Sequence, residues 1–451
     1  MSLFSTHNPA SGDTLKTYQH LTWEQAEKVL HQAATDFQVW RKTSLAERAL
    51  ILTKLAGLLR EHKAEFAQIM QQEMGKLIAE GKAEVEKCAV TCEFYAKEAA
   101  QMLAPQKATS SPYAHAEVSF QPLGVIFSIM PWNFPLWQVI RFAAPALMAG
   151  NVIVLKHADL TAGTAEIIDK IFAGLTDKIK LLRNLPLDHE VSAQVIADRN
   201  VQGVTFTGSS RGGKAVAIEA AKNLKKIVLE LGGSDAYLIL PDADLQAAAK
   251  SCAKVRLVNC GQSCVAGKRF FVHESVASEF LKYFTEAMKG ADLAPLASAR
   301  FKKQIVEQVE KLKAWGGKVT LGGTAPQMPG AFYPATIVVF EKHQPEVHGE
   351  EIFGPVASVF IVKSTDEALQ LANSSPYGLG GGIFTQDIQR GKEIVEKELQ
   401  AGFVVVNDFV KSDAGIPFGG IKESGYGREL GHFGILEFVN VKTVAVAGVQ
   451  K

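Results

Sequence analysis

From about residue 123 onward, short β-rich runs alternate with helical segments, and no other feature of the chain restricts its fold as much. "GVIFSIM", "NVIVLK", "VQGVTFTG" and "KKIVLELGG" read as strands. Between them, "PLWQVIRFAAPALMAG", "LTAGTAEIIDKIFAGL" and "SRGGKAVAIEAAKN" read as helices. Strands and helices in strict alternation can bury both their apolar faces only as a parallel sheet flanked by helices. Ligands in such folds sit beyond the carboxyl ends of the strands, which directs attention to the residues that follow each strand. A second series begins near Ser234 with "AYLIL" and continues through "RFFVH", "EIFGPVASVFIV" and "GFVVVN". The closing "FVNVKTVAVAGV" alternates apolar and polar positions as a strand does, and such a terminal strand needs a partner to be ordered.

Upstream, residues 21–104 repeat apolar side chains at three- and four-residue spacing and read as helices. Thr22 with Gln25 and Ser44 with Glu47 form capping-box patterns at two helix starts. "APQKATSSPYAHA" (104–116) breaks the pattern as a connector. With 451 residues, the chain exceeds one ordinary core and predicts two or three domains.

Function classes are narrowed by charge and cysteine use. A formal net charge of +1 gives no global field for nucleic acid or an anionic membrane, so neither partner is expected. The longest apolar stretch, "LGVIFSIMPWNFPLWQVI", is broken by two prolines and an asparagine, and falls short of a membrane span. The first residues lack the charged and apolar regions of a secretory signal. Five cysteines, an odd and low count, point to free thiols and a cytoplasmic protein.

Two of those cysteines fall in "NCGQSC" (259–264). A structural zinc site would need a second ligand pair nearby, and the sequence has none, so no metal is expected. Each thiol is then either a nucleophile or a small buried hydrophobe. On a helical turn Cys260 and Cys264 would come within disulfide range; in an extended loop they would not. "MPWNFP" ends a strand at the functional edge of the sheet, where Asn133 can either donate to an oxyanion or cap a helix. Glu230 ends the strand in "LELGGSDA" and is either a general base or an ordinary surface carboxylate. In "VTFTGSSRGG", Gly208 and Ser209 precede a helix whose free N–H groups suit a pyrophosphate, although a plain strand-to-helix turn would look the same.

Taken together, "MPWNFP", "LK" at 155–156, "FTGS", "LELGG", "GQSC", "EEIFGP" and "PFGGIKESGYGRE" resemble the aldehyde dehydrogenase superfamily, in its order and over nearly the whole chain. "LKHA", "NFPLWQVIR" and "GQSC" followed by "KRF" resemble its succinate-semialdehyde dehydrogenase branch. The resemblance implies that Cys264 is the nucleophile, Asn133 the oxyanion donor and Glu230 the base for deacylating water. Cofactor contacts would come from Trp132, Lys156, Asp159, Gly208, Ser209, Gly213, Leu231, Glu351 and Phe353. Asp159 would accept from a ribose 2′-hydroxyl and repel a 2′-phosphate, so NAD is expected over NADP. Arg141, with Trp137 and Asn133 at four-residue spacing, would hold the distal carboxylate of a semialdehyde, unless it forms a salt bridge within the core. Ser412 is a second substrate-binding candidate.

The resemblance also implies the architecture. A doubly wound, Rossmann-like cofactor domain would comprise residues 1–111 and 123–233, and an α/β catalytic domain residues 234–430. Residues 112–122 and 431–451 would form a small β oligomerisation element, giving a homodimer or homotetramer. Succinate semialdehyde is the expected substrate. A broad aliphatic or aromatic aldehyde dehydrogenase, or a relative that has lost catalysis, is the alternative. Three positions depart from the family pattern: Cys260 where a small or polar residue is usual, His157 where proline is usual, and Val258 where some relatives have a polar or basic residue.

Overall fold

The structure is a computed structural model that describes residues 2–109, 111–343 and 345–448. A hairpin of Leu3–His7 and Thr14–Gln19 opens the chain. Its mostly exposed residues carry no clear alternation, which is why the sequence reading passed over it. Four helices follow: α1 (Trp23–Trp40), α2 (Leu45–Glu61), α3 (Lys63–Met74) and α4 (Ile78–Met102). Both expected capping boxes form, at Thr22 with Gln25 and at Ser44 with Glu47.

The first sheet has five parallel strands in the order Lys226–Glu230, Val201–Thr207, Val125–Met130, Val152–His157 and Leu182–Asn184. The chain winds outward from Val125–Met130 in one direction and then returns to its other side. The carboxyl ends of Val125–Met130 and Val201–Thr207 therefore border the point where connections reverse, the place where such folds bind ligands. Gly425–Tyr426 adds a short antiparallel edge beside Lys226–Glu230, so the chain recrosses to this sheet five residues before the expected boundary at 430.

A second sheet orders Lys318–Leu321, Thr336–Phe340, Val356–Val362, Gly267–His273, Asp235–Ile239, Gly380–Phe384 and Phe403–Val406, parallel except for the first. Each sheet carries its own core: Phe127, Ile153 and Val204 lie in one, Phe271, Val338 and Phe360 in another. His115–Pro122 pairs antiparallel with Val439–Val446 along its whole length, and Gly431–Leu436, within the same C-terminal segment, is a helix.

Candidate active site

Helix α5 (Trp137–Ala149) follows the first strand of the parallel sheet, and the turn before it carries Trp132 and Asn133. No side chain of its own caps this helix. Instead Glu84 of α4 accepts from the N–H groups of Leu136 (3.0 Å) and Trp137 (2.9 Å), a carboxylate placed where the helix dipole favours one. The other Glu84 oxygen pairs with buried Lys76, whose ammonium also donates to the carbonyl of Asn133 at 3.0 Å. Asn133 is thus held from below by two residues that its own sequence neighbourhood does not reveal. His157, at the end of the adjacent strand, bonds the Pro135 carbonyl at 2.8 Å through Nε2. Burial pushes this imidazole down to about 4, so it is neutral.

"NCGQSC" does not form a regular helical turn. Asn259, Cys260 and Gly261 all have positive φ (53°, 55° and 73°). Only glycine is tolerated at the third, because a Cβ there would lie 2.3 Å from the Gly354 carbonyl oxygen. Asn259 Nδ2 donates to the Asn133 carbonyl at 2.8 Å, and Asn133 Nδ2 donates to the Gln262 carbonyl at 3.1 Å, so loop and turn are tied in both directions. Arg256 holds the Gly261 carbonyl at 2.7 Å, and Lys268 holds the carbonyls of Ser263 (2.8 Å) and Cys264 (2.5 Å). Cys260 is buried in the core of the second sheet, whereas Cys264 packs against the core of the first and lines a cavity. Both thiols are free, and the helical geometry that a 260–264 disulfide would need is absent.

The cavity has a volume of about 330 Å³. Cys264, Phe134, Trp137, Arg141, Lys87 and Ser412 are among the residues that line it, so the structure brings the expected nucleophile together with all three expected substrate contacts. Burial pushes the Cys264 thiol up to about 11, opposed by the charges of Arg141 and Lys268. Glu230 is buried, with neither carboxylate oxygen hydrogen-bonded among the described residues. Burial and then the charge of Glu429 raise it well above the usual carboxylate range, against Arg141 and Arg428. Its charge also acts on the Cys264 thiol. Arg141 forms a buried ion pair with Glu429 and reaches Thr207 at 3.4 Å. The core salt bridge weighed for Arg141 is therefore present, although the residue still faces the cavity. Lys87, Glu429 and Lys268 were missed in the sequence reading, since nothing in their local spacing marks them.

Of the expected cofactor residues, Trp132, Lys156, Asp159, Gly208, Ser209 and Leu231 lie at or just beyond the carboxyl ends of the first sheet's strands. Ser209 caps helix Ser210–Lys222 by accepting from Gly212 at 3.2 Å, leaving the N–H groups of Ser210 and Arg211 outside the helix ladder. Gly208 and Gly213 pack so closely on Phe206 and Leu231 that a Cβ would come within 2.7 Å and 2.5 Å of them. Lys156, next to last in its strand, has Nζ 3.7 Å from Asp159, whose carboxylate also meets His20 at 3.3 Å. Across from them Glu351 accepts from Gly233 N–H at 2.9 Å, and Trp132 packs edge-on against Phe353, with ring centroids 5.8 Å apart. A helix start with free N–H groups, a cation and a carboxylate are the kinds of group that a dinucleotide site uses. Among the described residues no group of three or more His, Cys, Asp or Glu side chains could hold a metal ion. No helix among them is long and apolar enough to cross a membrane.

Residues 2–444 match the family model described as "Aldehyde dehydrogenase family". The chain is 40% identical over 449 residues to succinate semialdehyde dehydrogenase [NAD(P)+] of Escherichia coli (strain K12), covering 97% of this chain and 96% of that one. It is 38% identical over 455 residues to succinate-semialdehyde dehydrogenase [NADP(+)] of Mycobacterium leprae (strain TN), covering 98% and 99%. Among solved structures, succinic semialdehyde dehydrogenase from Streptococcus pyogenes in complex with NADP+ superposes with a TM-score of 0.95 at 36% identity, over 99% of this chain and 100% of that one.

Proposed function

The chain belongs to the aldehyde dehydrogenase family, and from that premise we propose that it oxidises succinate semialdehyde to succinate with a nicotinamide dinucleotide. The carrying observation is a cavity that holds Cys264 beside three cations, Arg141, Lys87 and Lys411. An uncharged aldehyde would bring no carboxylate to meet them. When bound, the dinucleotide supplies the hydride acceptor.

The protein's own groups perform the remaining steps. The Cys264 thiolate adds to the aldehyde carbon, and the oxygen becomes an oxyanion. Asn133 Nδ2, now on the Gln262 carbonyl, is the donor we assign to that oxyanion. After oxidation the thioester is cleaved by water, whose proton passes to Glu230. Both Cys264 and Glu230 are raised by burial, so each acts in the form that higher pH supplies. Lys268, by holding the Cys264 carbonyl, positions the nucleophile.

For the cofactor, the expected preference for NAD rests on Asp159. Its carboxylate lies beside Lys156 and His20, so an incoming 2′-phosphate would not meet an unopposed negative charge. The relatives' names print NADP(+) and NAD(P)+. We therefore infer that both dinucleotides are accepted. Five free cysteines support a cytoplasmic setting, and the β element of His115–Pro122 and Val439–Val446 supports a homo-oligomer.

The test is the purified protein assayed by reduced-nicotinamide absorbance, on succinate semialdehyde and on butanal, with NAD and with NADP. Succinate semialdehyde should have at least a tenfold higher kcat/KM than butanal. Cys264→Ala should lose turnover of both, and Cys260→Ala should keep most of it. An inactive Cys260→Ala beside an active Cys264→Ala would overturn the nucleophile assignment, and equal use of the two aldehydes would overturn the substrate.

A further inference from the structure

We infer that Lys87, steered by Ser412 and the face of Trp137, is the specificity-determining cation that receives the distal carboxylate of an ω-carboxyl aldehyde. The assignment rests on the substrate class proposed above and deepens it. Glu80, Ala83, Glu84 and Lys87 recur along one face of α4, and all four line the Cys264 cavity. From that face Lys87 Nζ donates to Ser412 Oγ at 2.8 Å and stands 4.1 Å from the centroid of the Trp137 ring.

Three cationic side chains line this cavity, and they differ in what already neutralises them. Arg141 is paired with Glu429, both buried. Lys411 is paired with Asp408 at 2.7 Å and is half-exposed. Lys87 has no carboxylate within ion-pairing distance among the described residues. A half-buried ammonium held by a hydroxyl and an aromatic face is poorly compensated, and a ligand carboxylate would complete it. Val258, on the same wall, offers no charge. Ser412 accepts from Lys87, so its own hydroxyl proton remains free for a second bond to the same carboxylate.

The surroundings of the ammonium make this contact sensitive to pH. Burial, then the charge of Arg141 from α5, pushes Lys87 down to about 8. Cys88 and Glu84 on its own helix and Asp413 in the facing loop oppose this. The cation is therefore present below that pH and lost as pH rises through it. Uncharged aldehydes do not depend on it. Titration of Cys264 and Glu230 affects both substrate types, so it cancels in the ratio of their kcat/KM values.

The decisive measurement is the kcat/KM ratio of succinate semialdehyde to butanal, followed across pH for the wild type, Lys87→Met and Lys87→Arg. In the wild type the ratio should fall as pH rises through about 8. Lys87→Met should lower it by about 10- to 100-fold at neutral pH, mostly through KM, the scale of a lost charge-assisted hydrogen bond. Lys87→Arg should recover most of the ratio and flatten its pH dependence, because a guanidinium stays charged. A wild type that prefers succinate semialdehyde while Lys87→Met keeps that preference overturns the role of Lys87 and leaves the substrate standing. A wild type without the preference overturns the substrate and the Lys87 role with it. A variant that loses both substrates equally assigns Lys87 to the fold and overturns the proposal.

Discussion

Arg141 links three groups through charge. It pairs with Glu429, lowers Glu230 and lowers the Cys264 thiol. Replacing it with methionine leaves Glu429 as an uncompensated buried carboxylate beside Glu230 and removes a charge that favours the Cys264 thiolate. Glu230 and Cys264 would then both rise further, and each would need a higher pH to reach its deprotonated form. Arg141→Met should therefore lose activity on butanal as well as on succinate semialdehyde at neutral pH, and its pH–activity profile should move to the alkaline side. A profile that keeps its position, with a loss confined to the semialdehyde, would make Arg141 a substrate contact and nothing more. Spacing along α5 was enough to bring Arg141 to the cavity in the sequence reading. Its partner could not be read that way, because Glu429 lies 288 residues further on and meets it only after the chain recrosses to the first sheet. Lys87 was invisible for the same reason: a lysine on an amphipathic helix looks like a solvated one until the facing loop is in place.

At the scale of elements, the site depends on how α5 begins. Its cap comes from another helix, and the capping carboxylate is itself one half of a buried pair with Lys76. Glu84→Ala would orphan the Lys76 ammonium and free the first N–H groups of α5 together. Breaking a buried pair from one side costs on the order of 3–5 kcal/mol, and the lost cap adds about 1 kcal/mol. Thermal unfolding should show a clear drop in Tm. Turnover of butanal should fall too, since Lys76 also supports Asn133; an unchanged Tm would mean that the pair is not needed to hold the helix. The strands and helices flanking this point were legible because periodicity and capping boxes are local signals. Strand Gly380–Phe384 escaped because its first three residues are glycines, which carry no β-propensity. The left-handed run at 259–261 escaped because a cysteine at φ 55° is set by the tertiary bonds around it, not by its own preference.

Across the whole molecule, the parallel run of both sheets was implied by strand–helix alternation, whereas the order of their strands was not. Where the chain leaves and re-enters each sheet was less legible, since the short edge Gly425–Tyr426 has too few residues to show a pattern. The small sheet of Gln106–Lys107, His115–Pro122 and Val439–Val446 has Val439–Val446 as an edge strand whose far side meets no other strand among the described residues. Val441 is 61% exposed and Val446 53% exposed on that strand. A long edge with open backbone groups and exposed valines is an aggregation liability unless another chain covers it. A homo-oligomer built through this edge answers that liability. Val439 is different: it is buried and belongs to the first core, so it must stay in any test. Ending the chain after Asn440 should therefore leave each protomer folded while removing the edge. Light scattering coupled to size-exclusion chromatography should show the full chain as a dimer or tetramer and the shortened chain as a smaller species that still binds a dinucleotide. A shortened chain that keeps the full-length mass would place the subunit contact elsewhere on the surface and leave the exposed valines without a partner.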